Sequence, residues 1–499
     1  MATVPQSSTD ASAARNTGKV FPLHLAPIDA FFQMDDRPGY PMVSVIRLDF
    51  TGEMDRDSLL KGLAVALDRH PLLAAHVRPG KREMPCWFPA DDPLPPIDWA
   101  DWETPVEIAR DPTTSATHKS RVIDGGFDLS RETGLRLWVR VGQDRTCLLL
   151  QVHHACTDGT GVYRFLGDLL AAYASAVSPE LGPPEFTPLT PALLKKRRVK
   201  MADVAVHEPS RRFIVHGLQQ AWRMFGKRVV PLIPPRSVPP RTDGCWGDFP
   251  GIHTLRFTKD EHKQLREAAG RHGAMLNDLL LAEMFRAIRI WNYRQTGKHR
   301  PGWLRIMMPY DMREIEDFQM PAANMTAYTF LTRRSHTCDN LQSLVRDIRD
   351  ETAKIKSGRL GSAFIDAIML AEFAPWVLNF LLGRGRCIAS TILSNIGDPS
   401  KRFTAKLARK AGKVVAGNLT LEDVTGVPPL RPGSHATLAI FSYGRELAIS
   451  IRCNPAVFDA ESSQAFLELY VSQLRTHLGE TSPERIAPGD TSSDTADSQ

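Results

Sequence analysis

Gln151–Val152–His153–His154–Ala155–Cys156–Thr157–Asp158–Gly159–Thr160–Gly161 follows the apolar run Cys147–Leu150 and precedes a helical pattern. The stretch reads as the end of a strand, a tight turn and a helix start. Alternate side chains of a strand share a face, which groups His154 with Leu148, Leu150 and Val152 and leaves His153 on the other side with Gln151. The two adjacent histidines therefore have different jobs. Val162, Phe165, Leu166, Leu169, Leu170 and Tyr173 then keep helical spacing over three turns. Gly159 and Gly161 let the backbone turn sharply, and Asp158 or Thr160 can cap the helix. A neutral imidazole fixed at a strand end suits a general base that takes a proton from an alcohol, amine or thiol.

A lone strand histidine is most often a packed core residue. Two histidines with Asp and Gly at fixed offsets form a rarer pattern. A metal site needs three converging ligands. Only His154 and Asp158 converge here, so no metal is expected. Cys156 lies inside the motif, but no flanking cation activates it, and packing is its expected role.

His153–His154–x–x–x–Asp158–Gly159 resembles the HHxxxDG signature of the chloramphenicol acetyltransferase-like superfamily. That group includes nonribosomal peptide condensation domains, plant BAHD acyltransferases and bacterial wax ester synthase/diacylglycerol acyltransferases. The resemblance implies that His154 is the catalytic base, with His153, Asp158 and Gly159 completing the catalytic motif. It also implies that Asp158 is structural and paired with an arginine. The HxxxxD glycerolipid acyltransferases are a lesser match, through the spacing of His153 and Asp158.

With 499 residues, 42% of them hydrophobic, the chain can bury a sizeable core and is expected to make two domains, because single cores stop growing below this size. A net charge of +6 is mild and implies no nucleic acid. Seven cysteines lie scattered without CxxC spacing, as expected of a reducing compartment. Residues 1–18 and 480–499 read as disordered tails, the second acidic. The most apolar long stretch, Ala363–Leu382, is broken by Asp366, Glu372, Pro375 and Asn379 and is not expected to span a bilayer.

Between the tails, 19–190 reads as an N-terminal half carrying the motif, 191–250 as a basic, proline-rich crossover, and 251–479 as a C-terminal half. In the first half, Asp55–Arg69 has helical spacing and stops at Arg69–His70–Pro71. His70 reads as a capping or surface histidine. The segment resembles the superfamily's Arg-His-x-x-Leu-Arg element, with Ala74 in place of the second arginine, so Arg69 is one candidate partner for Asp158. Leu135–Val141 and Thr146–Val152 read as a hairpin leading into the motif. In the crossover, ten Lys/Arg stand against two acids over Lys195–Arg228, interleaved with Phe213, Trp222 and Phe225. Such a segment can lie on an anionic membrane surface or pack as a solvated crossover helix.

In the second half, Thr258–Lys259–Asp260–Glu261 is a capping box. Gly273–Ala274–Met275–Leu276–Asn277–Asp278 resembles the G-A-T-x-N-D segment of wax ester synthase-like members. Asn277 and Asp278 are thus substrate-tunnel candidates, although both also suit a helix cap. Pro309–Tyr310–Asp311–Met312–Arg313 resembles the Pro-x-Asp-x-Arg element and makes Arg313 a second candidate partner for Asp158. Ser394–Asn395–Ile396–Gly397 resembles the Ser-Asn-x-Gly loop, whose polar groups line the tunnel opposite the histidine. Ser394 or Asn395 is the expected oxyanion donor.

The expected fold is α/β: two chloramphenicol acetyltransferase-like subdomains with mixed sheets meeting at a central tunnel. The expected reaction moves an acyl group from a thioester, on coenzyme A or an acyl carrier protein, to an acceptor hydroxyl. An amide-forming condensation enzyme and a non-catalytic carrier-protein or lipid-binding module of the same fold are the alternatives. No cofactor is needed. The chain is expected to be a cytoplasmic monomer, with a peripheral position on the inner membrane face through 195–228.

Overall fold

The computed structural model describes residues 20–37, 40–80, 85–106, 126–197, 227–238, 252–356 and 387–480. Both tails, most of the basic stretch and Ala363–Leu382 lie outside the described residues.

The expected hairpin forms from Leu135–Gly142 and Arg145–His153, with Asp144 at the turn in the left-handed region. Strand Val43–Thr51 lies antiparallel along the other edge of Arg145–His153, in register from Thr51 opposite Arg145 to Val43 opposite His153. The strand carrying the motif is thereby hydrogen-bonded on both sides, and its residues from Thr146 onward are buried. Helix Gly159–Val177 returns across this sheet and packs against helix Arg56–Arg69, burying Phe165, Leu166, Leu169 and Tyr173.

A second sheet has the strand order Thr326–Arg334, Trp303–Asp311, Thr391–Gly397, Ala436–Phe441, Leu447–Cys453 and Ile252–Phe257. Its core is organised on helix Leu276–Thr296, buried from Asp278 to Asn292 except at Arg286. The capping box at Thr258 and Glu261 is formed in both directions. Pro309, which cannot donate to a ladder, sits where strand Thr391–Gly397 no longer pairs with its neighbour, beyond Met307.

The two sheets do not follow the sequence boundary at 191–250. Strands Ala408–Lys410, Lys413–Ala416 and Leu419–Val427, from the C-terminal half, complete the N-terminal sheet by pairing with Val43–Thr51, giving it seven strands. Gly426 permits this close crossing, because a Cβ there would lie 2.5 Å from the Val45 carbonyl oxygen. The motif thus sits where strands of both halves meet.

Candidate active site

The turn after His153 holds its shape through polar contacts from distant segments. His153 is buried; its Nδ1 accepts the Ala155 N–H at 3.1 Å, so Nε2 carries the proton and faces Asp36 Oδ2 at 3.1 Å. Asp36 in turn accepts the Met42 N–H. The His154 N–H donates to the Met42 carbonyl at 2.7 Å, extending the ladder one residue past the strand. The side chains of His153 and His154 then diverge, as the alternation required.

The His154 ring stacks on Phe32, with centroids 4.1 Å apart and planes 23° from parallel. Its Nδ1 is buried without a hydrogen bond from another residue, which leaves Nε2 as the ring nitrogen open to the adjoining cavity. Burial holds the His154 pKa below the ordinary histidine value, against the opposing pull of its own carbonyl and of the Asp158 charge. The ring is therefore neutral near pH 7, the form a base requires.

Asp158 is the opposite case. It caps helix Gly159–Val177 by accepting the Gly161 N–H at 2.8 Å. It also takes a two-pronged contact from Arg313, at 2.8 and 3.0 Å, and hydrogen bonds from the Met325 N–H and the Thr326 hydroxyl. Burial would raise its pKa, but the Arg313 charge and these donors hold it at about 2. Both carboxylate oxygens are saturated, so Asp158 has none free for a substrate. Gly161 is obligatory here: a Cβ would fall 2.1 Å from the Thr157 hydroxyl and 2.9 Å from the Ala323 nitrogen. Gly159 is less constrained, with Ile396 at 3.6 Å from a built Cβ.

Of the two arginine candidates, only Arg313 reaches Asp158. Arg69 instead meets Asp168, at 2.6 Å, further along the same helix. The reason is packing: helix Arg56–Arg69 lies antiparallel beside Gly159–Val177, so its end faces the helix middle rather than its cap. His70 is also not a surface residue. It is fully buried, with Nε2 3.1 Å from Asp168 and Nδ1 accepting the Ala322 N–H at 2.8 Å.

His154 faces a cavity of about 60 Å³ walled by Val45, Val152, Tyr163, Ser394, Ile396 and Phe441 among others. Ser394 thus lines the same cavity as the histidine. Asn395, one residue on, points to the other side of its strand: it is exposed, donates to Asn277 Oδ1 at 3.0 Å and accepts the Gly397 N–H. Asn277 therefore braces the Ser-Asn loop, and neither amide lines the cavity. Asp278 is a cap and a brace, accepting the Met275 N–H at 2.9 Å and the Thr352 hydroxyl at 2.8 Å.

Sequence reading missed two supports. The buried Asn324 amide donates to the His154 and Ala155 carbonyls, at 2.6 and 3.0 Å, and fixes the backbone of the turn. Helix Pro27–Asp35 supplies Phe32 and also Asp29, which pairs with Arg197 and Asn324. The only signal was the set of acids, Asp29, Asp35 and Asp36, in an otherwise apolar stretch. Arg197 is therefore buried and paired, not a membrane-facing cation; Lys195 and Lys196 beside it are exposed. Cys156 is buried, and its thiol is pushed well above the ordinary range by burial, as packing requires. Among the described residues no group of three metal-binding side chains converges, and no helix is long and apolar enough to cross a membrane.

No family model matches the chain. Uncharacterised proteins from two strains of Mycobacterium tuberculosis share 24% identity over 396 residues, covering 75% of this chain and 83% of theirs. Among solved structures, the first condensation domain of the calcium-dependent antibiotic synthetase, in complex with a substrate analogue, superposes with a TM-score of 0.62 at 14% identity, covering 92% of this chain and 96% of that one. The starter condensation domain of rhizomide synthetase, in complex with C8-CoA, gives 0.61 at 14% identity, over 95% and 98%. Polyketide synthase associated protein 5 from Mycobacterium tuberculosis gives 0.55 at 18% identity, over 92% and 98%. The chain has the two-subdomain, chloramphenicol acetyltransferase-like fold of the condensation domains, which the motif had implied.

Proposed function

We propose that the chain is an acyltransferase that moves an acyl group from a thioester to an acceptor hydroxyl, with His154 as general base. The observation that carries this reading is a neutral His154 that lines a cavity, on a turn tied down by Asn324 and Asp158, with no residue bonded to its Nε2 among the described residues. Nε2 takes the proton of the acceptor as its oxygen attacks the thioester carbonyl. The tetrahedral oxyanion then collapses, the carbon–sulfur bond breaks, and the thiolate recovers the proton from His154. Ser394, which lines the same cavity, is the proposed donor to the oxyanion. Val45, Val152, Ile396 and Phe441 make the cavity wall largely apolar, which suits an acyl chain. The cavity is small against the roughly 300–1,000 Å³ of ordinary ligand pockets, so substrates must widen it. Positioning two substrates and supplying a base need no covalent intermediate.

The condensation-domain neighbours keep amide formation open as the second reading. The test is thiol release from an acyl thioester by the purified chain, with alcohols and amines offered as acceptors. Release that depends on an alcohol and on His154 supports the proposal. Release that depends only on an amine moves the enzyme to the amide-forming class, and no release with any acceptor leaves the binding module. Carrier-protein delivery and membrane attachment through 195–228 belong to the same proposal. An anionic membrane surface would be met by Lys195 and Lys196 but not by the buried Arg197.

A further inference from the structure

A second and larger cavity opens on the same end of the C-terminal sheet. It is a cleft of about 1180 Å³, formed by the start of helix Lys259–Arg271, the segment after strand Thr391–Gly397, the Ala411–Gly412 turn and the turn after Phe441. Only a thin wall separates it from the cavity at His154: Ile396 and Phe441 line the inner cavity, while Asp398 and Ser442 line the cleft. The Ser442 N–H donates to the Gly397 carbonyl at 2.9 Å and holds that wall together.

The charge of the cleft is not balanced from within. Lys259, Lys263, Arg266, Lys401 and Arg445 line it. Against these five cations stand three carboxylates: Asp260, Asp398, which accepts the Ser400 N–H and hydroxyl, and Glu267, 3.8 Å from Lys263. Lys259, Arg266, Lys401 and Arg445 have no ion-pair partner among the described residues. Lys259 and Lys263 stand in the first two turns of their helix, where the backbone dipole already disfavours cations. Arg445 occupies the second central position of the tight turn closed by the Glu446 N–H on the Tyr443 carbonyl, with φ of 72°. Gly or Asn is the usual residue there. Cations from three separate segments thus converge on the cleft, and Lys259 and Arg445 do so at positions that local rules disfavour, which is expected of a functional site.

We propose that this cleft binds a phosphate-bearing group of nucleotide size, held by Lys259, Arg266, Lys401 and Arg445. The volume exceeds that of ordinary ligand pockets, and cations arranged around a concavity suit phosphate oxygens. Two sources share this chemistry. One is the nucleotide end of a coenzyme A thioester, whose pantetheine arm would cross the wall toward His154; this source rests on the acyl-transfer reading. The other is a free nucleotide.

The test uses the full chain and its Lys259→Gln/Arg266→Gln/Lys401→Gln variant, all changes being on exposed side chains. Adenosine bisphosphate carrying the 3′-phosphate is titrated calorimetrically, with adenosine as the uncharged control. The parent is expected to bind the bisphosphate and not adenosine, with affinity falling as salt rises. The variant should lose about tenfold or more in affinity at an unchanged melting temperature. Lys401→Glu alone provides a second variant from a different segment. No binding by the parent, or equal binding by parent and variants, overturns the proposal. Turnover then separates the sources. A raised KM for a CoA thioester, with no change for the same acyl group on N-acetylcysteamine, assigns the donor. Bisphosphate binding that leaves both thioesters unaffected assigns a free nucleotide. Absence of any thioester turnover would sink the acyl-transfer reading while leaving the binding result intact.

Discussion

His154 and Asp158 stand four residues apart in one turn and have opposite surroundings. The imidazole has a flat apolar neighbour in Phe32, a buried Nδ1 and an Nε2 left open to the cavity. The carboxylate has five donors: the Gly161 and Met325 N–H groups, the Thr326 hydroxyl and two nitrogens of Arg313. Both are buried and polar. The unsaturated group is free to do chemistry, and the saturated one ties the motif to the C-terminal half. Losing His154 should therefore cost rate, and losing Asp158 should cost stability.

The largest effect is expected from His154→Ala, which should lower thioester turnover by roughly 10²–10⁴ while leaving the melting temperature near that of the parent. Turnover at the parental rate would break the comparison at its catalytic end. Next comes Arg313→Ala, which strands a buried carboxylate and should cost about 3–5 kcal/mol in urea unfolding. Equal denaturation midpoints for parent and variant would show that the saturated end bears no structure. The sign with pH also follows. Asp158 has its pKa held at about 2, below the ordinary aspartate value of 3.8, so its contribution is present above the unfolded value and is lost as pH falls through the folded one. Asp158→Asn should unfold with a shallower pH dependence over that acid window.

A smaller effect is expected from Asn324→Ala, which leaves the His154 and Ala155 carbonyls without their buried donor. The loss should be about 1–3 kcal/mol, read by thermal or urea unfolding. The smallest is Phe32→Leu. A less covered imidazole is better hydrated, so its pKa should rise toward the ordinary value. Since the base works only when neutral, the acid limb of kcat/KM should move to higher pH. An unmoved limb with reduced rate would make Phe32 a packing residue only.

Some of this was legible in the chain because it depends on residues close together. The hairpin into the motif, the divergence of His153 and His154, the cap at Asp158 and the box at Thr258 and Glu261 all rest on spacing of a few residues. The Ser-Asn loop was also found, but strand alternation divides its two candidates, putting Ser394 in the cavity and Asn395 outside it.

The sequence alone determined the two-half α/β fold and the strand–turn–helix that presents His154. Strand and helix periods, turn glycines and caps are local properties that each segment carries with it. The tertiary structure alone decided that Asp158 pairs with Arg313, 155 residues away, rather than with Arg69. It also decided that Arg197 is buried against Asp29, and that 408–427 completes the first sheet. Each of these depends on which surfaces meet when two layers pack. Several arginines in one chain offer the same charge, and only the packed geometry selects the one whose guanidinium arrives at the carboxylate.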